Sequence, residues 1–323
     1  MKFKFFRFIL YIFLIGIGIF ALARAYYHFT DDFRLGNITS NMVIDLAWEN
    51  PPLTDKDKVY LSKILNQKFR YIGKGAQCYA FASEDKLYVI KFFKFKHLKP
   101  SWFLDLLPSI PALNKYKQRV AERKRRKFEN LFIGYELAYR EDKNESALLY
   151  LHLKPSDNLH LNVDVIDKIG IERSIDLDKV VFLIQRKGET LRTRMKKELG
   201  QGHLDKAQES LSQIIEMYTR EYKKGIFDRD HGVMHNTGFV DNRPFHLDVG
   251  KLTKDDNMKN IATSKNDLAL VVWKIALWIK SYYPEYYQQI STFLGDQYKL
   301  HTGSDINMDN IDPEIFKKRR HGW

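Results

Sequence analysis

Sixteen consecutive residues near the start of the chain, Phe8 to Ala23, read FILYIFLIGIGIFALA and contain no charge. A helix that is apolar all round has no face to turn toward water, so it belongs in a bilayer or is removed from the mature chain. With Phe5, Phe6, Ala25, Tyr26 and Tyr27 the stretch approaches the ~20 residues that cross a hydrocarbon core. Two readings fit. Tyr26 and Tyr27 suit a membrane–water interface, which suggests a retained single-pass anchor over residues 1–27. Lys2, Lys4 and Arg7 before the run, and Ala21-Leu22-Ala23 within it, suit a cleaved signal peptide. The anchor, and hence a membrane location, is the expectation carried forward. The positive-inside rule places the basic start in the cytoplasm and would export the rest, which leaves the side of the membrane to a topology assay.

The remainder is globular in composition: of 323 residues, 44% are hydrophobic and 29% charged. That length accommodates a two-lobed domain with a sizeable core. We expect a juxtamembrane segment over residues 28–58, one lobe over 59–187 and a second over 188–323. The single cysteine, Cys78, excludes an intramolecular disulfide and a thiolate zinc site. A net charge of +13 points to an anionic partner. Part of it lies in a helical cluster, Arg119, Arg123, Lys124, Arg125, Arg126 and Lys127, and in a basic tail, Lys317 to Arg320. Each is either a solvated face or a surface for lipid headgroups or an acidic acceptor; nucleic acid is not expected.

Phe69 to Phe93 reads as two β-type runs around the turn Ser83-Glu84-Asp85-Lys86. Gly73 and Gly75 interrupt the first run, as glycines do at a bulge or where backbone approaches a ligand phosphate. Lys91 sits in an otherwise apolar strand, where a buried ammonium needs an anionic partner. A helix is expected over Lys115–Arg140, strands over Asp164–Ile171 and Val180–Ile184, and a helix over Leu204–Lys224 with Leu211, Ile214, Ile215 and Tyr218 on its core side. Residues 225–252 then place Asp230, Asn236 and Asp248 among apolar residues, with Asp241-Asn242-Arg243 as a hairpin turn. The hairpin returns Asp248 toward the loop bearing the other two, a set of hard oxygen ligands suited to Mg²⁺. His231 and His235 read as loop residues, not metal ligands.

Taken together, Gly73-x-Gly75-x-x-Cys78, Val89-Ile90-Lys91, Asp228-Arg229-Asp230 with Asn236, and Asp248-Val249-Gly250 resemble the ordered motifs of the protein-kinase-like superfamily. The resemblance covers about residues 60–300. It departs at Cys78 (a glycine in the family), Asp228 (a histidine), Val249 (a phenylalanine) and one extra residue between Asp230 and Asn236. Only 17 positions separate Gly250 from Asp267, which is similar to the Asp that caps the catalytic loop. That shortness is closest in style to the aminoglycoside and choline phosphotransferases and the bacterial lipopolysaccharide sugar kinases.

The resemblance implies an α+β, two-lobed fold, with a small β-rich N-lobe and a helical C-lobe behind the N-terminal hydrophobic helix. It implies ATP and Mg²⁺ as cofactors and a hydroxyl-bearing acceptor. Gly73 and Gly75 would approach the nucleotide, Lys91 would hold its phosphates, and Glu129 would orient Lys91, with Glu122 and Glu136 as alternatives on the same helix face. Residues Gln185 to Glu189 would form the adenine hinge. Asn236 and Asp248 would bind the metal and Asp230 would accept the acceptor's proton. A small molecule, glycan or lipid headgroup is the expected acceptor; a protein kinase and a nucleotide-binding pseudokinase are the alternatives.

Overall fold

The computed structural model describes residues 2–39, 48–95 and 110–308, so the basic tail Lys317 to Arg320 lies outside the described residues. The chain divides into two units, Met1–Asn114 with His152–Ile184, and Lys115–Leu151 with Gln185–Trp323. The class is mixed α+β, as expected: a seven-stranded sheet, a helical C-terminal part and one apolar N-terminal helix.

In the first unit, β1 (Phe69–Lys74), β2 (Cys78–Ser83) and β3 (Tyr88–Phe93) form an antiparallel meander. The β1–β2 register shifts between Tyr71 and Gly73, the bulge that the glycine pattern implies. Strand β4 (Leu148–His152), of which only His152 belongs to this unit, stands at one edge in the strand order, β5 (Asn162–Ile166) runs parallel to β1, and β6 (Glu172–Asp176) returns antiparallel. With β7 (Phe182–Arg186) the order is β4-β7-β3-β2-β1-β5-β6. The single strand expected over Asp164–Ile171 is therefore a strand and a turn. The cause is Asp167, whose carboxylate accepts the amides of Ile169 and Ile171 and pulls the chain out of the ladder.

Helix α1 (Lys2–Phe29) contains the apolar run; within Phe6–Phe29 an 18-residue window has a mean hydropathy of 2.3 and is unburied. Immediately after it, the chain packs into this unit. Phe33 is fully buried, edge-on to Tyr79 at 5.2 Å and Phe81 at 4.9 Å, and Ile38 at the end of α2 (Leu35–Ile38) is also fully buried. Such aromatic pairs contribute ~0.5–1.5 kcal/mol beyond burial, so the exit from α1 is part of this unit's core. Helix α3 (Asp55–Leu65), which sequence did not reveal, starts at a Thr54/Asp57 capping box and buries Leu61, Ile64 and Leu65.

The second unit is helical. It holds most of α4 (Pro111–Glu141), then α5 (Lys143–Ser146), β8 (Glu189–Thr190), α6 (Leu191–Gly200), α7 (Leu204–Lys224), α9 (Ile261–Tyr282) and α10 (Tyr287–Thr302). The bounds of α7 match the expectation, and Leu211, Ile214, Ile215 and Tyr218 are fully buried. Each such side chain contributes roughly 1.5–3 kcal/mol. The α9 helix begins at Ile261, before Asp267, because the Asn260 side chain caps it on the amide of Ala262.

Candidate active site

The segment from Gly225 to Gly250 is built on short elements anchored to this helical core. Strand β9 (Ile226–Asp228) leads to a loop and α8 (Val233–Asn236), then to the hairpin β10 (Thr237–Val240) and β11 (Arg243–His246). Asp241 and Asn242 both adopt left-handed backbone, φ +49° and +59°, as a two-residue hairpin turn requires.

Asp230 and Asn236 are in direct contact here, and Asp248 follows the residue whose amide bonds to Asn236. The Asn236 carbonyl accepts the amide of Leu247 at 2.7 Å, which fixes the residue before Asp248 against the end of α8. The Asn236 side-chain NH₂ donates to Asp230 Oδ2 at 3.3 Å, so Oδ1 of the amide is the atom it offers elsewhere. Asp248 accepts the Tyr135 hydroxyl at 3.2 Å and the Gly250 amide at 3.1 Å, both on Oδ1. Lys251 Nζ lies 3.2 Å from Asp230 Oδ2, a half-exposed pair that contributes little to stability.

Several residues that sequence did not single out position this set. Gly134 of α4 is one: a Cβ there would stand 2.7 Å from the Val249 carbonyl oxygen and 2.9 Å from the Gly250 carbonyl carbon. Only glycine lets the helix lie this close to the Asp248 segment, and one turn's neighbour, Tyr135, then reaches the carboxylate. Beneath the loop, buried Asp228 accepts the Asp230 amide at 2.8 Å. Asp267, also buried, takes His231 Nε2 at 2.6 Å and the Tyr222 hydroxyl at 3.0 Å. His231 is thus a buried strut and not a solvated loop residue, while His235 is exposed. Lys274 Nζ donates to the carbonyls of Asp230 at 3.3 Å and His231 at 2.6 Å.

Behind the hairpin lies a cluster of buried ionisable groups. Glu221 is fully buried and Asp142 nearly so, and burial pushes each carboxyl up to about 8, the Glu221 charge adding to the rise at Asp142. Lys224 Nζ approaches Asp142 at 2.7 Å and Glu145 at 3.3 Å. Burial also raises Asp228 and lowers His246, whose Nε2 lies 2.8 Å from Glu221 Oε1 without hydrogen-bond alignment. Gln185, in the expected hinge, donates to the Ser146 and His246 carbonyls at 2.6 and 2.9 Å.

The remaining expected residues divide between the units. In the first, Lys91 faces Ala80 across β2–β3 and is partly buried. The turn between β1 and β2 closes through the Gly75 amide to the Cys78 carbonyl at 2.9 Å, and space beside Gly73 and Gly75 is open to 4 Å. Lys94, buried over the Tyr79 ring at 4.4 Å, donates to the Gly75 carbonyl at 2.5 Å; burial lowers its ammonium to about 8. In the second unit, Glu129, Glu122 and Glu136 each pair along α4, with Arg125 at 2.6 Å, Arg126 at 3.8 Å and Arg140 at 2.8 Å.

Among the described residues no three His, Cys, Asp or Glu side chains close on one point. Asn236 Oδ1 and the Asp248 carboxylate are hard oxygens that could serve as two ligands. That fits Mg²⁺, which keeps waters and takes substrate phosphates to complete its octahedron.

No protein-family model and no curated protein matches the chain. Among solved structures it is similar to WbdD, described as a bifunctional kinase-methyltransferase. In one WbdD structure the identity is 10%, with 76% of this chain and 46% of that chain covered, at a TM-score of 0.35. In a second the identity is 13%, the coverage 77% and 48%, and the TM-score 0.36. The chain thus spans just under half the length of WbdD.

Proposed function

We propose that the chain is a membrane-anchored, kinase-like phosphotransferase that moves the ATP γ-phosphate to a hydroxyl of a small molecule, glycan or lipid headgroup. The observation that carries this reading is the locked trio Asp230, Asn236 and Asp248, tied by the Asn236–Asp230 and Leu247–Asn236 bonds. Asn236 and Asp248 would hold Mg²⁺, which supplies charge neutralisation at the phosphates. Asp230, with its amide fixed by Asp228, would accept the proton of the attacking hydroxyl. Lys251 stands beside Asp230 and would face the transferring phosphoryl group. Lys91 would hold the nucleotide phosphates, with Gly73 and Gly75 approaching them and Glu129 orienting the lysine; catalysis of this kind is mainly positioning and electrostatics.

The compact stretch after Gly250 favours a small acceptor over a protein. It forms β12 (Leu252–Lys254), paired with β9, passes through a 3₁₀ turn at Asp256–Lys259, and enters α9 directly. That leaves no long segment there to cradle a peptide. Incubating the full-length protein in native membranes with γ-labelled ATP tests this. Label in the extractable lipid or small-molecule fraction, lost in Asp230→Ala, is the expected result; label in protein alone would favour a protein kinase.

A further inference from the structure

The last turn of α1 is tied to the β5–β6 hairpin. Arg173 donates to the Tyr26 hydroxyl at 2.9 Å with one guanidinium nitrogen and meets the Asp167 carboxylate at 2.5 Å with another. Asp167, its side chain fully buried, also accepts the amides of Ile169 at 3.1 Å and Ile171 at 2.9 Å. Two residues past the helix, the Asp31 carboxylate takes Lys168 Nζ at 3.1 Å, Lys74 Nζ at 3.2 Å and the Tyr71 hydroxyl at 3.0 Å. The turn Asp167–Ile171 is therefore fixed internally and fixed against the end of the helix. Its outward side chains include two isoleucines, Ile169 at 46% exposed and Ile171 at 42%, flanked by the exposed Lys168 and Glu172. Hairpin turns are ordinarily polar, so two isoleucines held outward by a carboxylate-bonded backbone are available to an apolar environment.

The length of α1 says where this turn would lie. Phe6–Phe29 has 24 residues, about 36 Å of helix against a hydrocarbon core of ~30 Å. If the helix spans from its N-terminal end, its final turn, with Tyr26, reaches headgroup depth, where aromatic side chains concentrate. The hairpin turn bonds to Tyr26 and to Asp31, five residues apart, and so stands within roughly 7 Å of that depth. We infer that Ile169 and Ile171 form a second membrane contact, inserted at the headgroup boundary of the leaflet from which α1 emerges, and that this contact sets the first unit's rotation about the anchor axis. The inference rests on the anchor reading of α1.

The test uses full-length protein in phosphatidylcholine nanodiscs, with p-benzoylphenylalanine placed at Ile169, at Ile171, or at Leu87. Leu87 is 47% exposed and follows the β2–β3 turn, at the opposite end of the strands. After irradiation, intact mass should show phospholipid adducts at positions 169 and 171 several-fold above those at 87. Equal or absent adducts, from protein that still resists extraction of its native membranes by alkaline carbonate, would overturn the second contact and leave the anchor standing. Release by carbonate would remove both, and is distinguishable because it is read before any crosslinking.

Discussion

At the scale of single residues, Gly134 and Tyr135 hold the Asp248 segment in place. Gly134→Ala gains about 1 kcal/mol of helix propensity but drives a methyl into the Val249 and Gly250 backbone, an overpacking cost of ~1–3 kcal/mol. The clash is with backbone and cannot be relieved by a rotamer change, so the cost wins. We expect a lower melting temperature, and a loss of Mg²⁺-dependent turnover larger than the stability change explains. Tyr135→Phe removes only the hydroxyl on Asp248, so it should keep the fold, measured by circular dichroism, while weakening apparent Mg²⁺ affinity severalfold. Neither residue was legible in sequence, because each acts on a partner more than a hundred positions away. That Asp230 and Asn236 lie in one loop was legible because they are six positions apart. The role of His231 was misjudged for the same reason as Gly134: its partner Asp267 is 36 residues on.

At the scale of elements, α7 and the β10–β11 hairpin could be read almost to the residue, since a helical stripe and an alternating pair around a turn are local signals. The α7 face also carries Glu221, and here burial has a pH consequence. A carboxyl whose folded value is raised to about 8 gives stability that is complete below its unfolded value and lost as pH rises through 8. His246, lowered by burial, acts in the opposite sense, but its unfolded value of 6.5 closes that window. Between pH 6.5 and 8 Glu221 and Asp142 act in the same sense, while Lys224, raised from 10.5 by the Asp142 and Glu145 carboxylates against its burial, stays charged in both states and adds no slope. We expect the melting temperature of the protein to fall across that interval, and the fall to flatten in Glu221→Gln. An unchanged slope in the variant would show that Glu221 is not the titrating group. Helix α3 and the core residues Phe33 and Ile38 were hidden because they lie in a segment whose composition is polar, where a few apolar residues decide the packing.

At the scale of the whole molecule, the sequence order of motifs, the α+β class and the apolar first helix agree with one another, and the exit of α1 runs directly into the core of the first unit. An anchor so joined should keep the protein in the pellet after alkaline carbonate washing, at the full 38.3 kDa. Release of a shorter species beginning near Arg24 would identify a cleaved signal peptide instead. The central claim is that Asn236 and Asp248 hold Mg²⁺ for phosphoryl transfer beside Asp230, and ATP turnover by the full-length protein tests it most directly. With Mg²⁺ present, the account predicts turnover in the unsubstituted protein and its loss by at least about 100-fold in Asp248→Asn, a variant that keeps shape but weakens a hard-cation ligand, with the melting temperature little changed. Turnover in Asp248→Asn equal to that of the unsubstituted protein, at the same Mg²⁺ concentration, would contradict it.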